Sequence, residues 1–313
     1  MNAQHVFQQG PMVSTLGRLA LTALRQRLQP PASGQVATAP GPTLTETVAP
    51  RDPALVADYI RWCKGDVSAW RGTLPPHFFA QWGFPLLART LEGVPYPLAN
   101  VLNGGCRLEI HKPLPADEPL ILSARLEDVD DDGRRAVLHQ RLVTGTASAP
   151  EALVSHLYAI VPLGGDKTGE KSAKKGPRKT GPLVPLDVRE IARLKLAGNA
   201  GLEFACLTGD FNPVHWIPAY GRAAGLGGTI LHGFATMARA VERLNRVVLV
   251  GDVRALKWVD VRFTKPLRLP ARVGVYQRPG ELYVGAAPGA PAFLTGTYGT
   301  SSNSAPEALR IDP

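Results

Sequence analysis

The chain has 313 residues, of which 44% are hydrophobic and 19% are charged. This composition excludes an intrinsically disordered chain, a collagen-like repeat and a small disulfide-stapled domain, and the length is enough for two compact units. The net charge of +9 and the pI near 9.7 raise nucleic acid or an anionic membrane as partners, unless the charge lies outside the folded parts.

Most of the positive charge lies in two segments. Residues 1–45 contain three arginines and no acidic residue, which gives +3. Residues 164–183 contain five lysines and Arg178 against Asp166 and Glu170, which gives +4. The rest of the chain carries +2, so the sequence argues against a basic face on a folded domain and predicts no nucleic acid partner.

The N-terminal 45 residues predict a helix followed by a tether. Met12 to Leu28 have the spacing of an amphipathic helix with arginines and no acidic residue, which we expect to pack on the body of the protein. An organelle transit peptide and a membrane-surface contact are the alternatives. Residues 30–43, rich in Pro, Gly and Ala, are typical of a flexible tether.

Cysteine usage and hydropathy indicate the compartment. The three cysteines are widely spaced and form no CxxC pair, which predicts reduced thiols. No apolar run approaches the ~20 residues of a membrane span, so we expect no stable membrane insertion. Together these features predict a cytoplasmic protein.

The remaining chain shows the same order of elements twice. In the first half, helical spacing at 53–64 and 78–91 precedes three strand patterns, at 106–127, 135–145 and 152–162. In the second half, helical signals at 187–195 and within 207–246 precede four strand patterns, at 254–264, 270–277, 281–287 and 291–299. A helix followed by antiparallel strands, twice, predicts an α+β fold in which each sheet wraps a helix.

This order gives four predicted segments. They are an N-terminal helix and tether at 1–45, a first folded half at 46–163, a lysine-rich linker at 164–183 and a second folded half at 184–313.

Three short matches in the same order indicate an internal duplication. They pair Lys64-Gly65-Asp66 with Thr208-Gly209-Asp210, His77-Phe78-Phe79-Ala80 with His232-Gly233-Phe234-Ala235, and His111-Lys112-Pro113-Leu114 with Thr264-Lys265-Pro266-Leu267. Asp66 and His77 are 11 positions apart, whereas Asp210 and His232 are 22 apart. The second copy therefore carries an extra segment, and this segment contains the most unusual residues.

An acidic residue and an imidazole share one predicted turn in that segment. Asn212 before Pro213 is a typical helix start, with Asp210 just outside it and His215 in its first turn. Such a pair can converge on one water molecule, as acid/base catalysis requires. Alternatively, Asp210 only closes a turn and His215 lies on a helix surface.

A second element follows at His232-Gly233. Gly233 opens an uninterrupted run of good helix formers, so its N–H belongs to the first turn, where amides lack intrahelical partners. A glycine there lets a substrate carbonyl approach the N–H closely, as in an oxyanion hole. Alternatively, the glycine relieves crowding where the helix meets its sheet, and both interpretations are compatible.

Four sequence stretches together resemble the MaoC-like hydratase/dehydratase family. They are D-F-N-P-V-H at 210–215, A-Y-G-R-A-A-G at 219–225, I-L-H-G-F-A-T-M-A at 230–238 and V-R-F-T-K-P-L at 261–267. The likeness is strong over 200–266 and weaker, but consistent in order, over 53–163. It implies a double hotdog fold, with two antiparallel sheets that each wrap a central helix in a pseudo-dimer.

The resemblance also implies an activity and its residues. Members hydrate trans-2-enoyl thioesters or dehydrate (3R)-3-hydroxyacyl thioesters in fatty acid metabolism, with no cofactor or metal. The carry-over makes Asp210 and His215 catalytic and makes Asn212, His232 and Gly233 substrate-binding. The first copy has no N-P-x-H after Asp66, so we expect it to be catalytically silent, with His77 a relic of the repeat.

The sequence departs from the family pattern after the motif. Many members have an acidic residue two places after the catalytic histidine, where this chain has Ile217 followed by Pro218. This departure concerns the local helix geometry rather than the catalytic pair.

Other functions and sites remain alternatives. The fold would also suit a hotdog acyl-thioesterase or a noncatalytic acyl-thioester binding module. Asp210, His215 and His232 would offer three ligands to a metal, although no second carboxylate or cysteine accompanies them. His139 and His156 lie in strand patterns, where a structural role is the more common one.

The sequence leaves the acyl carrier and the oligomeric state open. The substrate arrives either on CoA or on acyl carrier protein, since basic patches suit both acidic carriers. The two halves can pair within one chain, so both a monomer and a homodimer are allowed.

The position of the charge gives a first prediction. Deleting most of 166–180 removes much of the basic linker and should leave the turnover of CoA substrates nearly intact, because the linker has almost no apolar residue to bury. Steady-state kinetics of the deleted chain against the full chain would check this. A collapse of activity would make the linker part of the site.

Overall fold

The computed structural model describes residues 3–15, 17–18, 21, 37–98, 101–163 and 181–301. A 3-10 helix at Ala3–Gln9 opens the chain. The α-helices are α1 Pro53–Cys63, α2 Ala80–Arg89, α3 Ala200–Thr208, α4 Pro218–Ala223 and α5 Gly233–Val247. The strands of the first half are β1 Leu44–Val48, β2 Thr73–Leu74, β3 Leu102–Ile110, β4 Leu114–Pro115, β5 Leu120–Asp131, β6 Arg135–Gly145 and β7 Leu153–Pro162. Those of the second half are β8 Arg189–Leu196, β9 Trp258–Phe263, β10 Ala271–Arg278, β11 Glu281–Gly285 and β12 Ala292–Gly299.

The two halves share one antiparallel sheet. Its ten strands follow the order β1-β5-β6-β7-β3-β9-β12-β11-β10-β8, so each half contributes five neighbouring strands. The halves meet where β3 pairs with β9, with Cys106 opposite Val261 and Leu108 opposite Val259. The predicted α+β double hotdog is confirmed, with the two half-sheets joined edge to edge.

A long helix lies against each half-sheet. Helix α5 buries residues on every side, from Phe234 to Asn245, as expected of a helix enclosed by other elements. Helix α2 is the corresponding helix of the first half and is shorter, with 10 residues against 15. One hydrophobic cluster contains residues of both helices and both half-sheets, among them Phe79, Leu86, Phe234 and Val261.

The capping residues explain where helix α1 begins and ends. Asp52 accepts a hydrogen bond from the Ala54 N–H, and Pro53 occupies the first helical position. Lys64 ends α1 in the left-handed conformation, with φ of 65°. Asp66 follows two residues after Lys64, so the end of α1 determines where this residue of the repeat lies.

One predicted helix is wrong. Residues 187–195 were expected to be helical, but Arg189–Leu196 form the edge strand β8, which pairs with β10. Ile191 and Leu194 have the i, i+3 spacing of a helix, yet the chain buries Leu194 and Leu196 and exposes Lys195 between them, which is the period of a strand. The sequence also predicts no strand before residue 53, whereas Leu44–Val48 form β1, which pairs with β5.

Residues 5–15 lie against the body of the protein, whereas the packing of the rest of the predicted Met12–Leu28 helix stays a prediction. Residues 10–15 are helical, and Met12 is 4% exposed. Most of the predicted helix beyond residue 15, the tether at 30–36 and the linker at 164–180 lie outside the described residues.

The predictions on cysteines and membrane spans concern the described part of the chain. Cys63, Cys106 and Cys206 are all free, as the sequence predicted. Within the described ranges, no helix combines the length and the apolar character that a membrane crossing requires.

Candidate active site

The loop after α3 places Asp210. Gly209 ends the helix in the left-handed conformation, with φ of 82°, and donates its N–H to the Ala205 carbonyl at 2.7 Å. The Asp210 carboxylate then accepts a hydrogen bond from the Asn212 N–H at 3.3 Å. This bond turns the side chain back onto its own loop, and Asp210 remains 21% exposed.

The next residues form the predicted turn. Asn212 accepts a hydrogen bond from the Val214 N–H at 3.3 Å, and Pro213 begins a 3-10 helix that ends at His215. The prediction that Asp210 lies outside a helix start and His215 in its first turn is confirmed. Helix α4 starts at Pro218, so the Ile217-Pro218 departure is accommodated as a normal helix start.

A backbone carbonyl determines the tautomer of His215. Its Nδ1 lies 2.9 Å from the Ile230 carbonyl oxygen. A carbonyl can only accept, so Nδ1 carries the proton and Nε2 of the neutral ring has a free lone pair. Burial lowers the pKa of His215, although the Asp210 charge opposes this shift. His215 is therefore a neutral ring whose Nε2 can take a proton.

His232 supports this arrangement from behind. Its Nε2 lies 2.9 Å from the Asp210 carbonyl oxygen, and its ring stacks on that of His215 with centroids 3.5 Å apart. Phe204 also packs on the His232 ring, and the side chain of His232 is only 2% exposed. Burial, followed by the neighbouring His215, lowers the pKa of His232 to about 3.

The three side chains converge on one small volume. Asp210, His215 and His232 each offer one donor atom, and these atoms lie within 4.8 Å of one another. A carboxylate and a neutral imidazole at this separation can hold a water molecule and remove its proton. The same donors would also suit a metal ion, which remains the alternative.

Gly233 lies beside this group at the start of α5. His232 is the N-cap residue, and no side chain caps the helix start. A Cβ at position 233 would lie 2.7 Å from Cδ2 of Phe263, so the glycine also relieves crowding. The crowding interpretation of Gly233 is therefore supported, and its role as an oxyanion-hole donor stays a prediction.

In the first half, the histidine that corresponds to His232 contacts a side chain of α5. His77, the counterpart of His232, has its Nε2 2.9 Å from Oε1 of Glu242. Trp70 donates its indole N–H to the same oxygen at 2.8 Å, and Tyr59 contacts Nδ1 of His77 at 3.0 Å. Asp66 caps the turn at 67–70 and is exposed. In the first copy, His77 is therefore paired with Glu242 of α5, and Asp66, the counterpart of Asp210, caps its own turn.

The remaining predicted residues have different surroundings. Asn212 is exposed and its side chain caps the turn, while His232 is enclosed between Phe204 and His215. Substrate binding by Asn212, His232 and Gly233 stays a prediction, and the geometry gives the first two a clear positioning role. His139 and His156 hydrogen bond to each other on the sheet at 2.9 Å, away from this group.

Sequence reasoning missed two contributors to the site. One is the Ile230 carbonyl, which orients His215, and the other is Glu242, which pairs with His77 in the first half. A backbone carbonyl leaves no residue-type signal in a sequence. Glu242 differs, because an acidic residue within a helix that is buried all round indicates a buried partner.

The burial of His232 predicts how stability depends on pH. The pKa of His232 is about 3 in the folded chain, against an ordinary 6.5, so unfolding takes up a proton below pH 6.5. The contribution of neutral His232 to the free energy of unfolding should be fully present above pH 6.5. It should decrease as the pH drops below 6.5, by about 1.36 kcal/mol per pH unit for one proton. The His232→Gln variant, which keeps an N–H for the Asp210 carbonyl, should show a shallower slope.

Urea unfolding at pH 7.5, 6.0 and 5.0 would measure both slopes. The difference between the two chains isolates His232 from the other histidines. Equal slopes in the two chains would contradict a neutral, buried His232.

Part of the chain is similar to a described domain family. Residues 187–279 match the family model described as a MaoC like domain. Enoyl-CoA hydratase 2, peroxisomal, of Arabidopsis thaliana is 27% identical over 180 residues, which are 55% of this chain and 58% of that protein. The chain thus spans less than two thirds of the length of this relative.

Two further matches cover more of the chain. The 3-hydroxyacyl-thioester dehydratase X of Mycobacterium tuberculosis is 25% identical over 248 residues, which are 77% of this chain and 82% of that protein. The crystal structure of HtdX from the same organism superimposes with a TM-score of 0.65 at 20% identity, covering 82% of this chain and 99% of that one. Residues 187–279 are thus similar to the MaoC like domain, and the chain has the double hotdog fold of the dehydratase that it superimposes on.

Proposed function

We propose that the protein is a hydro-lyase that reversibly hydrates trans-2-enoyl thioesters to (3R)-3-hydroxyacyl thioesters. The observation that carries this proposal is the neutral His215, whose Nδ1 faces the Ile230 carbonyl and whose Nε2 is left to act with Asp210 on one turn. Catalysis is assigned to the half at 184–313. The half at 46–163 completes the fold and is catalytically silent.

The first step of hydration uses the carboxylate and the imidazole together. Asp210 accepts one hydrogen bond from a water molecule, and Nε2 of His215 removes the other proton of that water as its oxygen attacks C3. The C2–C3 π electrons move toward the thioester carbonyl. The Gly233 N–H then stabilises the negative charge that develops on the carbonyl oxygen.

The second step returns the proton. His215 delivers it to C2 on the face from which water attacked, the carbonyl re-forms, and Asp210 and His215 regain their starting states. One water has then been added across C2–C3. Dehydration runs the same steps in reverse, and the thioester itself makes the C2 proton acidic enough to be removed.

The catalytic pair gives the central prediction. Asp210→Asn and His215→Ala should each lower kcat/KM for trans-2-enoyl-CoA by about 10² to 10⁴, the usual contribution of a positioned acid or base. The loss of enoyl absorbance measures this rate. Asp66→Asn is the matched control, because Asp66 has the same place in the repeat and should leave the rate unchanged.

The same assay separates the alternatives. Release of free thiol would identify a thioesterase, and binding without turnover would identify a noncatalytic module. Full activity in both Asp210→Asn and His215→Ala would show that the site is assigned wrongly. Loss of activity on treatment with EDTA, restored by a divalent metal, would instead favour the three-ligand metal site.

The first half also bears on substrate length. Its helix α2 is shorter than α5 and carries Phe84, whose ring lies 5.1 Å from that of Phe234, next to Gly233. Phe79 and Phe263 contact the same Phe234 ring, each at 5.5 Å. These aromatic rings form an apolar region beside the reacting centre, which would favour a hydrocarbon chain.

We therefore predict a preference for long acyl chains. The kcat/KM for enoyl-CoA substrates of C8 and longer should exceed that for crotonyl-CoA, because the shorter first half leaves room for the chain. Initial rates over a series from C4 to C12 would check this. A clear preference for crotonyl-CoA would contradict it.

The carrier, compartment and assembly complete the proposal. The thioester is carried by CoA or by acyl carrier protein, and we place the protein in the cytoplasm, although curated relatives include peroxisomal enzymes. The joined half-sheets are compatible with either a monomer or a homodimer.

A further inference from the structure

The N-terminal segment at residues 3–15, which we call the N-terminal clamp, buries one face. His5, Gln9, Met12 and Thr15 are each at most 4% exposed, and they recur at intervals of three or four residues. Phe7, on another face, is 89% exposed. The segment thus lies against the body along a single helical stripe.

Gln9 joins the end of α3 to the central helix of the first half. Its side-chain Nε2 lies 3.2 Å from the Leu207 carbonyl oxygen and 3.4 Å from that of Cys206. The last carbonyls of a helix lack intrahelical donors, so Gln9 supplies one to the end that leads to Asp210. Its Oε1 in turn accepts a hydrogen bond from Gln81 of α2 at 3.2 Å.

Met12 packs on the residue directly before Asp210. A Cβ at position 209 would lie 2.6 Å from Cβ of Met12, so only glycine allows this approach. Gly209 also needs its positive φ of 82° to end the helix there. The loop that carries Asp210 is therefore held by Gln9 on its helical side and by Met12 at Gly209.

The other contacts of the clamp lie on α1. His5 contacts the Asp58 carboxylate at 2.9 Å, and Gln8 donates to Asp52 at 2.5 Å. These contacts do not reach the loop that carries Asp210, so they provide controls within the same segment.

We propose that Gln9 and Met12 are positioning residues for the reaction, which hold the Gly209–Asp210 backbone where the carboxylate meets His215. This inference rests on the proposed function. Neither residue contacts the reacting atoms, and both act through the backbone of the loop.

The kinetic test uses Gln9→Met, which keeps the size of the side chain but removes its N–H donor, and Met12→Ala, which removes Cγ and the rest of the side chain from the packing on Gly209. Both should lower kcat for trans-2-enoyl-CoA by about 10- to 100-fold with little change in KM, since a misplacement of about 1 Å can cost 10²-fold. His5→Ala should keep the wild-type kcat. Met12→Leu, a conservative change, should restore most of the activity that Met12→Ala loses.

Hydrogen exchange provides a readout that does not need activity. Amides at 206–212 should exchange faster in Gln9→Met and Met12→Ala than in the wild type, while amides of the central sheet keep their rates. Wild-type kcat and wild-type exchange at 206–212 in Gln9→Met would overturn the proposal. A faster exchange spread evenly over the chain, in step with a lower Tm, would also overturn it, because the clamp would then be only stabilising.

The two proposals fail in different ways. If the wild-type chain hydrates no enoyl thioester and exchange at 206–212 still responds locally to Gln9→Met, the proposed function fails and the positioning of the loop stands. If Asp210→Asn abolishes activity while Gln9→Met and Met12→Ala do not change kcat, the function stands and the positioning role fails.

Discussion

Two backbone carbonyls determine the chemistry available at this site. Ile230 and Asp210 each present a carbonyl oxygen to an imidazole nitrogen at 2.9 Å. Because a carbonyl cannot donate, His215 must carry its proton on Nδ1 and His232 must carry one on Nε2. Burial keeps both rings neutral, so the lone pair on Nε2 of His215 is available without any change of tautomer.

Because the two imidazole rings stack, the charge on one ring affects the pKa of the other. A charge on either ring would lie 3.5 Å, centroid to centroid, from the other ring, and His232 is almost completely buried. The proximity of His215 is one reason why the pKa of His232 is so low. His232 therefore serves best as a permanently neutral support, and the proton that moves in catalysis is left to His215.

The two copies of the repeat differ in the surroundings of their corresponding histidines, His77 and His232. In the first half, Glu242 from the longer helix α5 contacts Nε2 of His77 and accepts the indole N–H of Trp70. The shorter α2 ends at Arg89, and its Phe84 contributes an apolar ring next to Gly233 instead. The two halves therefore differ in what their corresponding histidines contact, which agrees with the proposal of one catalytic and one silent half.

Local sequence signals predicted the parts of the site that depend on neighbouring residues. Asn212-Pro213 indicates a turn start from side-chain capping and a fixed φ, so the placement of Asp210 and His215 followed from a few residues. The edge strand β8 was not predictable in this way. Its apolar residues Ile191 and Leu194 fit a helix as well as a strand, and only the pairing with β10 decides between them.

Contacts between distant parts of the chain account for the rest. Gln9 and Leu207 are 198 positions apart, and neither residue type indicates the other. A glutamine in an amphipathic segment reads as a surface residue, yet its amide satisfies the carbonyls of α3 and joins them to Gln81. Contacts from the N-terminal segment and from α2 thus extend to the loop that carries Asp210, which ties the proposed site to the packing of both halves and of that segment.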